Sequence, residues 1–235
     1  MTDAQAILDE IKLLGSEGYR KVLRNHGVTG ACFGVKIADL KQIQKRIRKD
    51  YRLALALYDT GVYDAMYLAG LIADDARMTR TDLQGWVDQA CGPLAGSTVA
   101  WVAAGSPHGW ELAREWIDSD KEMTAVAGWA TLSCLTSIKD DAELDEAAVK
   151  QLLQRVRNTI HQSPDPVRYQ MNAFVICVGS YVAALTGPAK EIAEQIGHVQ
   201  VDMGRTACQV PAAADYIRKV EARGTIGKKR KSAKC

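Results

Sequence analysis

No apolar run in this chain of 235 residues approaches the roughly 20 that a bilayer-spanning helix needs, so no membrane span is expected. From Met1 to Leu14 acids mix with apolar side chains, without the basic start and apolar stretch of a secretory leader. That gap points to an intracellular, cytoplasmic protein. The six cysteines (Cys32, Cys91, Cys134, Cys177, Cys208, Cys235) include no C-x-x-C pair, and the histidines stand isolated, away from metal-ligand spacing. No metal site, redox pair or cofactor is expected, and Cys134 and Cys177, inside apolar runs, read as small hydrophobes. Any convincing period-two alternation is also missing, which argues against a sheet. Between Gln89 and Trp110 there is no charged side chain at all. Its middle, Ser97 to Ala104, is too apolar all round for a surface helix and should be central and buried, or line a pocket.

What is present is helical periodicity. Thr2 or Asp3 can cap a helix over Ala4–Leu14, and a second short one follows over Glu17–Arg24. Val35, Ile37, Leu40, Ile43 and Ile47 recur at helical spacing over Lys36–Lys49. Leu53–Tyr58 and Tyr63–Ile72 continue the pattern, and Thr79 or Thr81 caps the next helix. Ser106-Pro107 reads as a cap followed by proline, opening a helix through Ile117. Further helices are predicted over Lys121–Ser137, Glu146–Asn158, Val167–Leu185 and Ala189–Ile196, with Thr186-Gly187-Pro188 as a break. Each helix offers one apolar face too narrow for a core of its own, so neighbours must stack. The class is all-α: an α-solenoid of antiparallel helical repeats over 1–197, with a basic C-terminal extension over 198–235. Pro211 should open a helix within that extension, and the last ten or so residues should be mobile.

Charge is segregated. Arg218 to Lys234 carries a net +7 and Lys36 to Arg52 a net +5, which leaves −10 for the rest of a chain whose total is +2. Two basic patches on an acidic body point to a polyanion, because clustered Lys and Arg gain from counterion release. Trp101 shares a helical face with Ser97 and Thr98, which makes it the ring to watch for contact with a ligand.

Three stretches carry a resemblance: Phe33-Gly34-Val35-Lys36-Ile37-Ala38-Asp39-Leu40, the Leu53–Leu57 helix, and Gly61–Asp75 (GVYDAMYLAGLIADD). They resemble the AlkD-like DNA alkylation repair family of HEAT-like repeat DNA glycosylases, and the helix order supports the match over Phe33–Gly197. The resemblance implies HEAT-like repeats that hold duplex DNA in a basic concave groove. It also implies base excision repair, with charged N-alkylated purines excised without base flipping. The family's site has a carboxylate, aromatic rings and an Arg, which would stabilise an oxocarbenium-like state. Carried forward from Trp86-Val87, the catalytic Asp falls on Ser97 and the Trp before it on Pro93. The Arg falls near Val126 and the second Trp on Phe174. A serine there would need a base, and none is evident.

The expectation is therefore a DNA-binding HEAT-repeat monomer, nucleoid-associated when bound, with little or no glycosylase activity. Lys36, Lys41, Lys45, Arg46, Arg48, Arg168 and the tail residues Lys228, Lys229, Arg230 and Lys231 would contact the DNA backbone. An active glycosylase with a rebuilt pocket of Ser97, Trp101, Tyr169 and Phe174 is the first alternative. A protein-interaction solenoid is the second.

Overall fold

The structure is a computed structural model that describes residues 3–204 and 206–234. Thr2 and Cys235 lie outside the described residues, and Asp3 caps the first helix by accepting from the Gln5 amide at 3.1 Å. The chain runs through α1 (Ala4–Leu13), α2 (Glu17–Asn25), α3 (Ile37–Ile47), α4 (Tyr51–Tyr58), α5 (Tyr63–Ile72) and α6 (Arg80–Gln89). It continues through α7 (Ala100–Gly105), α8 (Gly109–Trp116), α9 (Glu122–Ile138), α10 (Glu146–Thr159), α11 (Asp165–Tyr181), α12 (Thr186–Ile196) and α13 (Ala213–Ala222). No strand occurs among the described residues, and no single helix there is long and apolar enough to cross a membrane. Neighbouring helices pair along the chain, α4 on α5, α8 on α9 and α11 on α12, in the antiparallel helical repeats of an α-solenoid.

The stack has two helices buried on every side. All of α5 is buried, and α9 is buried over most of its length, packed by α7, α8 and α11. In α9, hydroxyls avoid the cost of burial by turning back on their own helix: Thr131 Oγ1 donates to the Ala127 carbonyl at 2.7 Å and Ser133 Oγ to that of Trp129 at 2.9 Å. Close approach needs glycine at one contact in particular. A Cβ on Gly70 would meet Thr98 Cγ2 at 2.4 Å, so α5 can lie against the segment before α7 only with that position bare. Tyr58 stacks on Trp86 with ring centroids 4.1 Å apart and donates its hydroxyl to the Trp86 carbonyl at 2.8 Å.

Several boundaries differ from the periodicity, among them the end of α11 at Tyr181 and not Leu185, and the start of α13 at Ala213 and not Pro211. The middle of the charge-free stretch is buried from Thr98 to Ala104, but it is broken by a π-helical turn at Ala95–Val99 before α7 begins. Ser106 does not open α8. Its hydroxyl donates to the Ala103 carbonyl and accepts from the His108 amide, forming a separate turn, and α8 starts at Gly109. Thr186-Gly187-Pro188 is no break but the first turn of α12, where proline's missing N–H goes unnoticed. The segment over 198–235 shares the main core: α13 packs on α11 and α12, and Val199, Ala213, Ile217 and Ala233 join the buried cluster.

Candidate nucleic-acid interface

The position of α3 is set by a carboxylate. Asp64, 1% exposed in α5, accepts from the amides of Phe33 (2.6 Å), Gly34 (3.4 Å) and Val35 (2.8 Å). Three donors satisfy a charge that would otherwise be costly to bury. At the other end of α3, Arg48 has φ 64° and ψ −110°, the one positive φ on a non-glycine among the described residues. Its amide still reaches the Gln44 carbonyl at 2.6 Å, and Gln44 Nε2 donates to the Leu71 carbonyl at 3.3 Å.

The basic tail, expected to be mobile, is instead docked. The Gly227 amide donates to the Ser180 carbonyl at 2.9 Å and the Arg230 amide to that of Ser137 at 2.8 Å. Lys229 Nζ donates to the Thr136 carbonyl at 2.9 Å and pairs with Asp141 at 2.7 Å. Ala233 is 4% exposed, and Lys234 Nζ donates to the Ala73 carbonyl at 2.8 Å while pairing with Asp75 at 2.7 Å. A tail of such composition is held because its two anchoring ammoniums, 14% and 13% exposed at Lys229 and Lys234, each find a carboxylate and a carbonyl. Burial pushes the Asp75 carboxyl up despite Lys234, and burial pushes the Lys234 amine down despite Asp75.

Between α3, α7 and this tail lies a cavity of about 650 Å³. Leu71, Trp101 and Ile138 supply apolar lining, and Lys45, Arg48, Lys49 and Lys231 supply positive charge beside the Asp75–Lys234 pair. Lys49 is drawn toward Asp74 at 3.8 Å, whereas no ion pair forms at Lys45, Arg48 or Lys231 among the described residues. The Trp101 ring, 7% exposed, meets Tyr67 edge-on at 5.4 Å.

The expected pocket of Ser97, Trp101, Tyr169 and Phe174 is not assembled. Phe174 is fully buried against Trp129, with ring centroids 5.4 Å apart, because its phase on α11 faces α9. Ser97 sits in the π-helical turn with its hydroxyl donated to the Pro93 carbonyl at 2.7 Å, and neither it nor the half-buried Tyr169 lines the cavity. Val126 is buried and Pro93 half-buried, so no family position presents an acid. The basic residues divide in the same way. Arg46 forms a two-armed pair with Glu10, and Arg168 donates to the carbonyls of Gln200 at 2.7 Å and Ser163 at 2.9 Å. Lys36, Lys228 and Arg230 are exposed, and Lys41 is half-buried, all outside the cavity lining. The reading by sequence missed Asp75, Lys49 and Lys234. The acid closes the Gly61–Asp75 stretch, so proximity to a matched motif was the available signal. Among the described residues no cluster suited to a metal ion occurs, and burial pushes the Cys177 thiol up to about 11, away from reactivity.

Comparison with known proteins agrees with this architecture. The profile of the family described as DNA alkylation repair enzyme matches residues 7–185. A solved structure, from a family related to the HEAT-like repeat DNA glycosylases with affinity for branched DNA structures, superposes with a TM-score of 0.91. That chain is 34% identical, and the match covers 100% of both. An uncharacterised protein of Listeria monocytogenes is 31% identical over 91% of this chain and 95% of its own length, and one of Listeria innocua is 30% identical over the same shares.

Proposed function

The chain belongs to the DNA alkylation repair enzyme family, and from that premise we propose that it is a DNA-binding HEAT-repeat protein with little or no glycosylase activity. The observation that carries the reading is the gathering of Lys45, Arg48, Lys49 and Lys231 at one cavity, three of them without an internal counter-ion among the described residues. Both duplex and branched DNA are proposed ligands, the latter because the structural relative has that affinity. Action as a monomer in the cytoplasm belongs to the same proposal, and sedimentation with and without DNA tests the monomer.

Four phosphate contacts predict a log–log salt slope of about −3.6, or roughly a hundredfold loss of affinity between about 50 and 200 mM salt. Fluorescence anisotropy with labelled duplex across that range measures it, and salt-insensitive binding would overturn the reading.

One observation favours the enzymatic alternative. Asp75 is a carboxylate in the same cavity as Trp101. Its pairing with Lys234 argues that it is occupied as a structural anchor instead. Incubation with N-methylated DNA decides between them: the proposal expects no released base, and release that Asp75→Asn abolishes would make the protein a glycosylase with a relocated acid.

A further inference from the structure

The cavity has two chemistries. Its basic groups suit a phosphate, but Leu71, Trp101 and Ile138 offer an apolar wall that a phosphate does not need. At about 650 Å³ it falls among small-molecule pockets, which run from roughly 300 to 1,000 Å³, and is suited to one detached nucleotide more than to a stretch of duplex. The backbone at Arg48 adds a separate sign. Glycine would fill φ 64° without strain, yet an arginine stands there, on the cavity wall and without an ion pair among the described residues. Strain kept at one side chain on a pocket wall is a mark of use. Asp75, the one acid lining the cavity among the described residues, is neutralised in place by Lys234, so it does not repel an anion.

Building on the DNA-binding reading, we propose that this cavity takes a single unpaired nucleotide of a DNA strand, its phosphate against Lys45, Arg48 and Lys231 and its base against Trp101. A paired base would have to be unstacked to enter, whereas a bulged or junction nucleotide is already free. The site therefore selects DNA by its unpaired nucleotides and not by sequence. The tail forms one wall, so recognition requires it to be docked.

The test uses the full chain and two labelled duplexes that differ only by one bulged nucleotide, which is replaced in a third by fluorescent 2-aminopurine. The bulged duplex is expected to bind roughly tenfold more tightly, the scale of one base–aromatic contact. Trp101→Ala and Arg48→Gly should each bring the ratio of the two affinities close to one, and Trp101 should quench the 2-aminopurine on binding. Because Trp101 is mostly buried, Arg48→Gly keeps the test valid if Trp101→Ala does not fold. Equal binding of both duplexes by the wild-type protein, or an unquenched 2-aminopurine, overturns this inference and leaves the DNA-binding reading standing. Failure to bind either duplex overturns both.

Discussion

The two ends of α3 are built on opposite terms. At its entry, the Phe33–Val35 amides converge on the buried carboxylate of Asp64 in one neighbouring helix. At its exit, the chain passes through a strained Arg48 onto a cavity whose carboxylate, Asp75, is answered by a lysine from the far end of the sequence. Asp64 meets backbone amides and Asp75 meets the ammonium at the end of a side chain, so breaking the second contact is expected to cost less than breaking the first. The proposed binding cavity thus lies at the exit and the fully buried anchor at the entry, as expected when ligand sites are drawn from the less stable parts of a fold.

The largest effect should come from breaking the entry. Asp64→Ala strips three amides of their acceptor and should lower stability by about 3 kcal/mol or more, read as a fall in the urea midpoint. A loss below about 1 kcal/mol would erase the contrast between the two ends. Lys234→Met acts on the exit and leaves Asp75 without its counter-ion, but the tail can lift away to relieve it. Global stability should drop by only about 1–2 kcal/mol, while hydrogen exchange at the Gly227 and Arg230 amides should quicken at least tenfold. Adding Asp75→Asn should restore much of that protection, since removing the charge from both partners is far milder than removing it from one. Arg48→Gly should raise stability by about 1 kcal/mol through relief of strain even as DNA affinity falls. That opposite movement of midpoint and affinity would place the exit on the side of function.

A third helix end gives the smallest effect. Burial would raise the Asp82 carboxyl, but hydrogen bonds from the Thr79 amide and hydroxyl and the Tyr51 hydroxyl hold it below its ordinary value. A depressed acid contributes stability above its unfolded value of 3.8 and loses it as pH falls through the folded value. Asp82→Asn should therefore cost about 1 kcal/mol at neutral pH, and the difference from wild type should vanish on acidification, as thermal melts across pH would record.

Local signals made much of the fold legible. Asp3, Thr79 and the apolar repeat of α5 placed their helices within a residue or so, because caps and periodicity act over one turn. Thr186-Gly187-Pro188 was misread because proline stops a helix from behind and tolerates one ahead. At the site, Lys45, Arg48 and Lys231 followed from charge clustering and Trp101 from the uncharged stretch. Phe174 failed because family alignment gives a position but not the direction a ring faces. The tail was illegible for a different reason: composition reports its charge, while docking depends on Ala73 and Asp75 being brought to it by the whole stack.

Lys234 reaches a carbonyl 161 residues earlier in the chain. On a ribosome adding about 5–20 residues per second, α3 and Ala73 emerge roughly ten to thirty seconds before their lysine partner does. A nascent chain thus presents the lysines of α3 with one wall of the cleft still unmade, and the finished shape arrives only as the late residues thread into place.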